Sequence, residues 1–252
     1  MIDYVDVLRS ESVRFSECAH NGDPQAAVPS CPDWNLADLT WHLGEVQYSW
    51  ATIVGDLLLD DAGVSELSRP PDEDLPALFD VQSARLIDAV SRHPAEARCW
   101  TWDPNGWNVG WVRRRQAHEA LIHRIDAELA IGHVTAVDED LAADGVHELL
   151  FTHLDGVPDW ATFIPDDTMA TLSVDGGPSY GLRFGRIVGR GSQSGKDYDF
   201  DSFLVSEPAG TVISGTAVAL DLWLWGRAES GVRCDDEPLL ARIRSIVAEA
   251  TQ

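Results

Sequence analysis

The spacing of apolar residues changes once along this chain, near Pro158, and that change limits the architectures open to it. Before it, apolar residues recur at three- and four-residue intervals, which is the period of an amphipathic helix. After it, MATLSVDGGPSYGLRF alternates polar and apolar residues around an Asp-Gly-Gly-Pro turn, the pattern of a β-hairpin. The first part predicts a helix over about residues 3–20, a second capped by Asn35, a third through LPALFDVQSARLIDAVSRH and a fourth through RRQAHEALIHRIDAELA. A shorter fifth, near LAADGVHELLFTHL, closes that half. Asp38 at the third position of the second helix completes a capping box with Asn35, and Trp34 stands where a hydrophobic staple onto Leu39 belongs. The second part predicts further strands at DSFLVS and TVISG, a helix at ALDLWLWG stopped by Gly226, and a terminal helix at EPLLARIRSIVAEA. The expected fold class is therefore α+β in two domains: a four-helix bundle over residues 1–158, then a smaller α+β domain over 159–252.

Three residues within the helical part suggest chemistry. Glu119 and His123 are four apart, so a helix turns about 400° between them and projects both from one face. Val112, Ala120, Ala127 and Ala130 share that face and are apolar or small, which points to burial. A buried carboxylate needs a cation or hydrogen-bond donors. His42 follows Leu39 by three and precedes Val46 by four, on the apolar side of the second helix. One histidine facing a Glu/His pair from another helix is how a bundle builds a metal site in its core. Two imidazoles and a carboxylate leave a fourth position open around an ion such as zinc, the pattern of a catalytic site. The structural alternatives are a packed core histidine and a surface Glu/His pair worth a few tenths of a kcal/mol.

Composition removes other classes of function. With 42 acidic against 18 basic residues the formal charge is −24, so the chain repels phosphate backbones and anionic membrane surfaces. No run of 18 apolar residues occurs, and MIDYVDVLRSE carries no apolar signal core, so a cytoplasmic location is expected. Lys196 is the single lysine, a bias of high-GC genomes such as those of actinobacteria. Cys18, Cys31, Cys99 and Cys234 form no CxxC pair and are expected as free thiols.

Two tempting motifs fail. In HEALIH the position four after His118 is Ile122, and His118 and His123 lie about 140° apart around the helix, so no zinc-protease HExxH exists. In GRGSQSGKD the first glycine of a phosphate loop is replaced by Arg190 and the residue after Lys196 is Asp197. This segment reads as a loop between strands. Cys31, just ahead of a helix N-terminus, is a weaker candidate nucleophile beside the reading of a small, partly buried cysteine.

SCPDWNLADLTWHLGEV and AHEALIHRIDAELA resemble the N-terminal signature of the mycothiol-dependent maleylpyruvate isomerase family, among the DinB-like metalloenzymes. The resemblance continues through LAADGVHELL to GTAVALDLWLWGR and so spans nearly the whole chain. It implies a DinB-like bundle holding a divalent metal, typically zinc, on His42, Glu119 and His123. It also implies mycothiol as cosubstrate, and places Arg227 of WLWGR, by local motif, where the family has an arginine implicated in activity. Arg227 can equally be a helix C-terminal arginine countering the dipole. Asp126 is expected either to orient a ligand from behind or to lie on an exposed face. The activity implied is thiol transfer to a small electrophile or its cis–trans isomerisation. A metal-dependent hydrolase and a non-catalytic metal-binding stress-response protein are the alternatives on the same scaffold.

Overall fold

The computed structural model describes residues 1–252 except Asn105, Gln193 and Gln252, which belong to the loops after Pro94 and after Arg190 and to the C-terminus. The chain forms two compact units, Met1–Ala136 and Val137–Gln252.

The first unit holds four helices: α1 (Tyr4–Asn21), α2 (Leu36–Gly55), α3 (Leu75–Arg92) and α4 (Val109–Ala130). Three of them, α1, α2 and α4, start on a side-chain cap. Asp3 accepts from Val5 and Asp6 N–H, Asn35 forms the expected capping box with Asp38, and Asn108 accepts from Trp111 N–H. α1 packs mainly on α4 and α2 on α3. Two apolar clusters fill the interior. One gathers Phe15, Leu36, Leu39, Leu43, Phe79 and Ala127; the other gathers Leu8, Trp50, Val54, Leu86, Val90 and Val112.

Between these clusters, in sequence order on every helix, come buried polar residues: Glu11 and Ser12 on α1, Gln47 on α2, Gln82 and Ser83 on α3, Arg124 on α4. Arg124 is fully buried and donates to Glu11 and Glu128, each at 2.7 Å, and to Thr135. Gln47 donates to Ser12 at 3.2 Å. A buried guanidinium is tolerated because two carboxylates neutralise it.

The second unit begins with α5 (Glu139–Glu148), which runs on into a π-helical turn at Leu149–Leu154. This corrects the expected boundary at residue 158. Ala142, Val146, Leu149 and Leu150 are buried in one cluster with the strands and helices that follow, so the fifth helix belongs to the α+β unit rather than closing the bundle. Strands β1 (Ala161–Val174), β2 (Ser179–Arg190), β3 (Asp197–Ser206) and β4 (Thr211–Gly215) form a sheet of order β3-β2-β1-β4. β1–β2 and β2–β3 are antiparallel, and β4 lies parallel to β1. The β1–β2 hairpin turns through Asp175–Pro178, with Gly176 at φ 70° as a left-handed turn position requires. Leu172, Leu182, Phe184, Phe203 and Ile213 face a core shared with α6 (Ala217–Leu224) and α7 (Glu237–Ala250). Gly226, at φ 72°, ends α6 while Arg227 N–H reaches back to Leu222 C=O at 2.7 Å, the hydrogen bond of a Schellman stop. Among the described residues no helix is long and apolar enough to cross a membrane.

Candidate metal centre

α2 and α4 bring His42, Glu119 and His123 together. The capping box fixes where α2 begins, and His42 lies two turns in; Glu119 and His123 are successive turns of α4. Glu119 Oε1 stands 3.3 Å from His123 Nε2 and 3.7 Å from His42 Nε2. The imidazole rings of His42 and His123 meet edge to face with centroids 4.9 Å apart. One donor atom from each of the three residues lies within 4.8 Å of the others. Two ligand atoms on a tetrahedral zinc with bonds of 2.0–2.1 Å stand about 3.4 Å apart. The donor set and its spacing therefore fit a divalent cation.

Each of the three side chains has a neighbour behind it. His123 Nδ1 lies 2.9 Å from Asp126 Oδ2, and Ser30, in the loop before α2, donates to Asp126 Oδ1 at 2.5 Å. Asp126 is fully buried, which decides between its two expected positions: it faces His123 and not solvent. Arg115, one turn before Glu119, places Nη2 3.0 Å from Glu119 Oε2 and is 4 % exposed. Trp34 lies against the His42 ring at a centroid distance of 4.8 Å.

The electrostatics follow from this packing. Burial pushes the Glu119 carboxyl up, but the neighbouring imidazoles of His123 and His42 and the charges of His123 and Arg115 outweigh it and hold it well below the usual range. Burial pushes His123 down, yet the Asp126 and Glu119 carboxylates raise it to about 9. In the metal-free protein at neutral pH, His123 is thus an imidazolium between two carboxylates. A cation would replace that proton.

His118 is buried on another side of α4, its ring 6.3 Å from that of Tyr4, and takes no part in the cluster, as its spacing predicts. All four cysteines are free. Burial raises Cys18 and Cys99 to about 11, with Glu128 and Glu17 adding to the rise at Cys18, so neither is a thiolate near neutral pH. Cys31 is half-buried against the Phe15–Leu36 cluster and is not among the grouped donors. Arg227 lies in the second unit, where its guanidinium donates to Trp225 C=O and sits 5.8 Å from the Trp225 ring centroid. Sequence reading missed Ser30 and Arg115. Arg115 had one available signal, its place four residues before Glu119 on the same face.

Residues 6–128 match the family model described as the mycothiol maleylpyruvate isomerase N-terminal domain, and residues 140–242 match the C-terminal domain of the same family. The chain belongs to the mycothiol-dependent maleylpyruvate isomerase family. Two solved structures resemble it in fold across both units. They are a crystal structure of the mycothiol-dependent maleylpyruvate isomerase and one of a histidine-to-alanine mutant of that enzyme. Each has a TM-score of 0.60 at 13 % identity, over 92 % of this chain and 91 % of the other. No curated protein matches the chain in sequence. The junction between the two matched domains, residues 129–139, brackets the junction between the two compact units of this family member.

Proposed function

We propose that this chain is a divalent-metal-dependent enzyme that uses a low-molecular-weight thiol, mycothiol, on a small electrophilic substrate. The observation that carries the reading is the His42–Glu119–His123 cluster, in the family whose named member depends on mycothiol. Two imidazoles and one carboxylate suit zinc best, and they leave room for an exogenous ligand. A divalent cation held there would favour the thiolate of a bound thiol over the thiol near neutral pH.

The chain's own residues supply the rest. Asp126 accepts from His123 Nδ1–H, which leaves Nε2 directed at the cluster, and Ser30 keeps Asp126 in place. Arg115 offsets the charge of Glu119. Arg227 is assigned the role of gripping a substrate carboxylate, for which a guanidinium fork is well shaped. The thiolate would add to one carbon of an activated C=C bond, whose π electrons pass to the conjugated carbonyl as an enolate. Rotation about that carbon–carbon bond, now single, followed by loss of the thiolate as the double bond re-forms, is isomerisation; protonation of the enolate carbon with the new C–S bond kept is S-transfer.

The test is a screen of small electrophiles, maleyl compounds included, with and without mycothiol on zinc-supplemented protein. Thiol-dependent turnover supports the proposal. Turnover without thiol identifies a hydrolase, and none under either condition leaves a binding protein. Glu119→Ala or His123→Ala should abolish stoichiometric metal in elemental analysis, while His118→Ala should not.

A further inference from the structure

The two oxygens of Glu119 have different neighbours. Oε1 faces both imidazoles, at 3.3 Å from His123 Nε2 and 3.7 Å from His42 Nε2. Oε2 lies 3.0 Å from Arg115 Nη2, which donates to it. Arg115 sits one helical turn back on the same element, so α4 itself fixes the pair, and its side chain is 4 % exposed. A carboxylate with both oxygens free can grip a cation through one oxygen or through two. With two oxygens and two imidazoles bound, four positions would be filled, and a water or thiol could enter only as a fifth ligand.

We infer that Arg115 is a positioning residue that withholds Glu119 Oε2 from the metal, so that the carboxylate binds through Oε1 alone and one coordination position stays open for the thiol. This rests on the metal reading above and adds to it the reason the site is open. A guanidinium is well suited to this: it stays charged at every working pH, and its planar fork holds a carboxylate oxygen directionally. The ordinary account of an i,i+4 Arg–Glu pair is a surface contact of small value, but such a pair would be exposed and would leave the choice of oxygen free. Here the guanidinium is buried and the oxygens are sorted.

Cobalt(II) is the probe, because its visible d–d bands weaken as coordination number rises and a bound thiolate adds a near-ultraviolet charge-transfer band. The full-length wild type should take up one Co²⁺ per chain with strong, four-coordinate-type bands, and N-acetylcysteine should bring up the charge-transfer band. Arg115→Gln should keep one Co²⁺ per chain but with weaker bands, and should need at least tenfold more N-acetylcysteine for the same signal. Arg115→Lys, which keeps the charge without the fork, should fall between the two. X-ray absorption of the zinc-loaded wild type gives a second measurement that needs no variant, with a single carboxylate oxygen expected in the first coordination sphere. Unchanged bands and thiol response in Arg115→Gln, or two carboxylate oxygens on zinc in the wild type, would overturn the role of Arg115 while leaving the metal site intact. A wild type that takes up no Co²⁺ would overturn the metal reading itself.

Discussion

Asp126 offers one oxygen to His123 and the other to Ser30, and this chain of three residues sets what His123 can do in the candidate site. Because the Asp126 and Glu119 carboxylates together raise His123 to about 9 against burial, a cation arriving at pH 7 in the metal-free protein must displace its proton. Calorimetry in two buffers of different ionisation heat should therefore report about one proton released by His123 per Zn²⁺, with apparent affinity rising up to tenfold per pH unit until about pH 9. Heats that do not depend on the buffer would contradict this. Asp126→Ala should cost roughly 10–100-fold in zinc affinity in a chelator competition, and Ser30→Ala less. The same shifts act on stability. His123's raised value stabilises the folded metal-free protein fully below about pH 6.5, and this contribution fades as pH rises through about 9. Glu119's lowered value acts in the opposite direction, its contribution present above about pH 4.5 and lost on acidification. Thermal melts in EDTA should accordingly fall between pH 7 and 9.5. The clustering of His42, Glu119 and His123 was legible because helical spacing and small neighbours announce a polar group on an apolar face. Ser30 was not, since it meets Asp126 across 96 residues of sequence. Arg115 was hidden in a run of three arginines that reads as solvated charge.

At the level of whole helices, local chemistry was the most readable layer. Asn35 and Asp38 announce the start of α2, and TVISG and EPLLARIRSIVAEA mark β4 and α7 to the residue, because caps, turn residues and periodicity act over a few positions. What failed was partnership. The apolar face of α5 has the period of a bundle helix, and nothing local says that it packs instead with a sheet formed later in the chain. The buried polar layer of the bundle was equally silent. Arg124 in HRIDA gives no sign in sequence that it faces Glu11, 113 residues away. That layer lies between two apolar clusters, so a helix that slid by one turn would place Arg124 or Glu11 in an apolar layer. Arg124→Ala leaves two buried carboxylates without their cation and should cost about 3–5 kcal/mol in urea unfolding of the metal-free protein. A loss below about 1 kcal/mol would mean that Glu11 and Glu128 are solvated after all.

Across the molecule, the candidate residues divide between the two units. His42, Glu119 and His123, with Ser30, Arg115 and Asp126 behind them, all belong to Met1–Ala136, while Arg227 belongs to Val137–Gln252. Cation binding should therefore be insensitive to Arg227, whatever that residue does for substrate. One of its contacts is with the end of its own helix: it donates to Trp225 C=O, next to a Schellman stop that backbone hydrogen bonds already secure. Compensating the helix dipole there is worth about 0.3–1 kcal/mol, too little to demand an arginine when lysine would serve. Arg227→Lys separates the two roles. As a capping cation, lysine should preserve both stability and turnover. As a carboxylate grip, it loses the two-pronged geometry that a guanidinium offers. The expected outcome is an unchanged zinc content in Arg227→Lys and Arg227→Ala, with a melting temperature unchanged in the first and at most slightly lowered in the second. Thiol-dependent kcat/KM should fall at least tenfold in both, and for anionic electrophiles more than for neutral ones. Equal loss on neutral and anionic substrates would remove the carboxylate-gripping role. Loss of zinc in either variant would show that the division between the units does not hold.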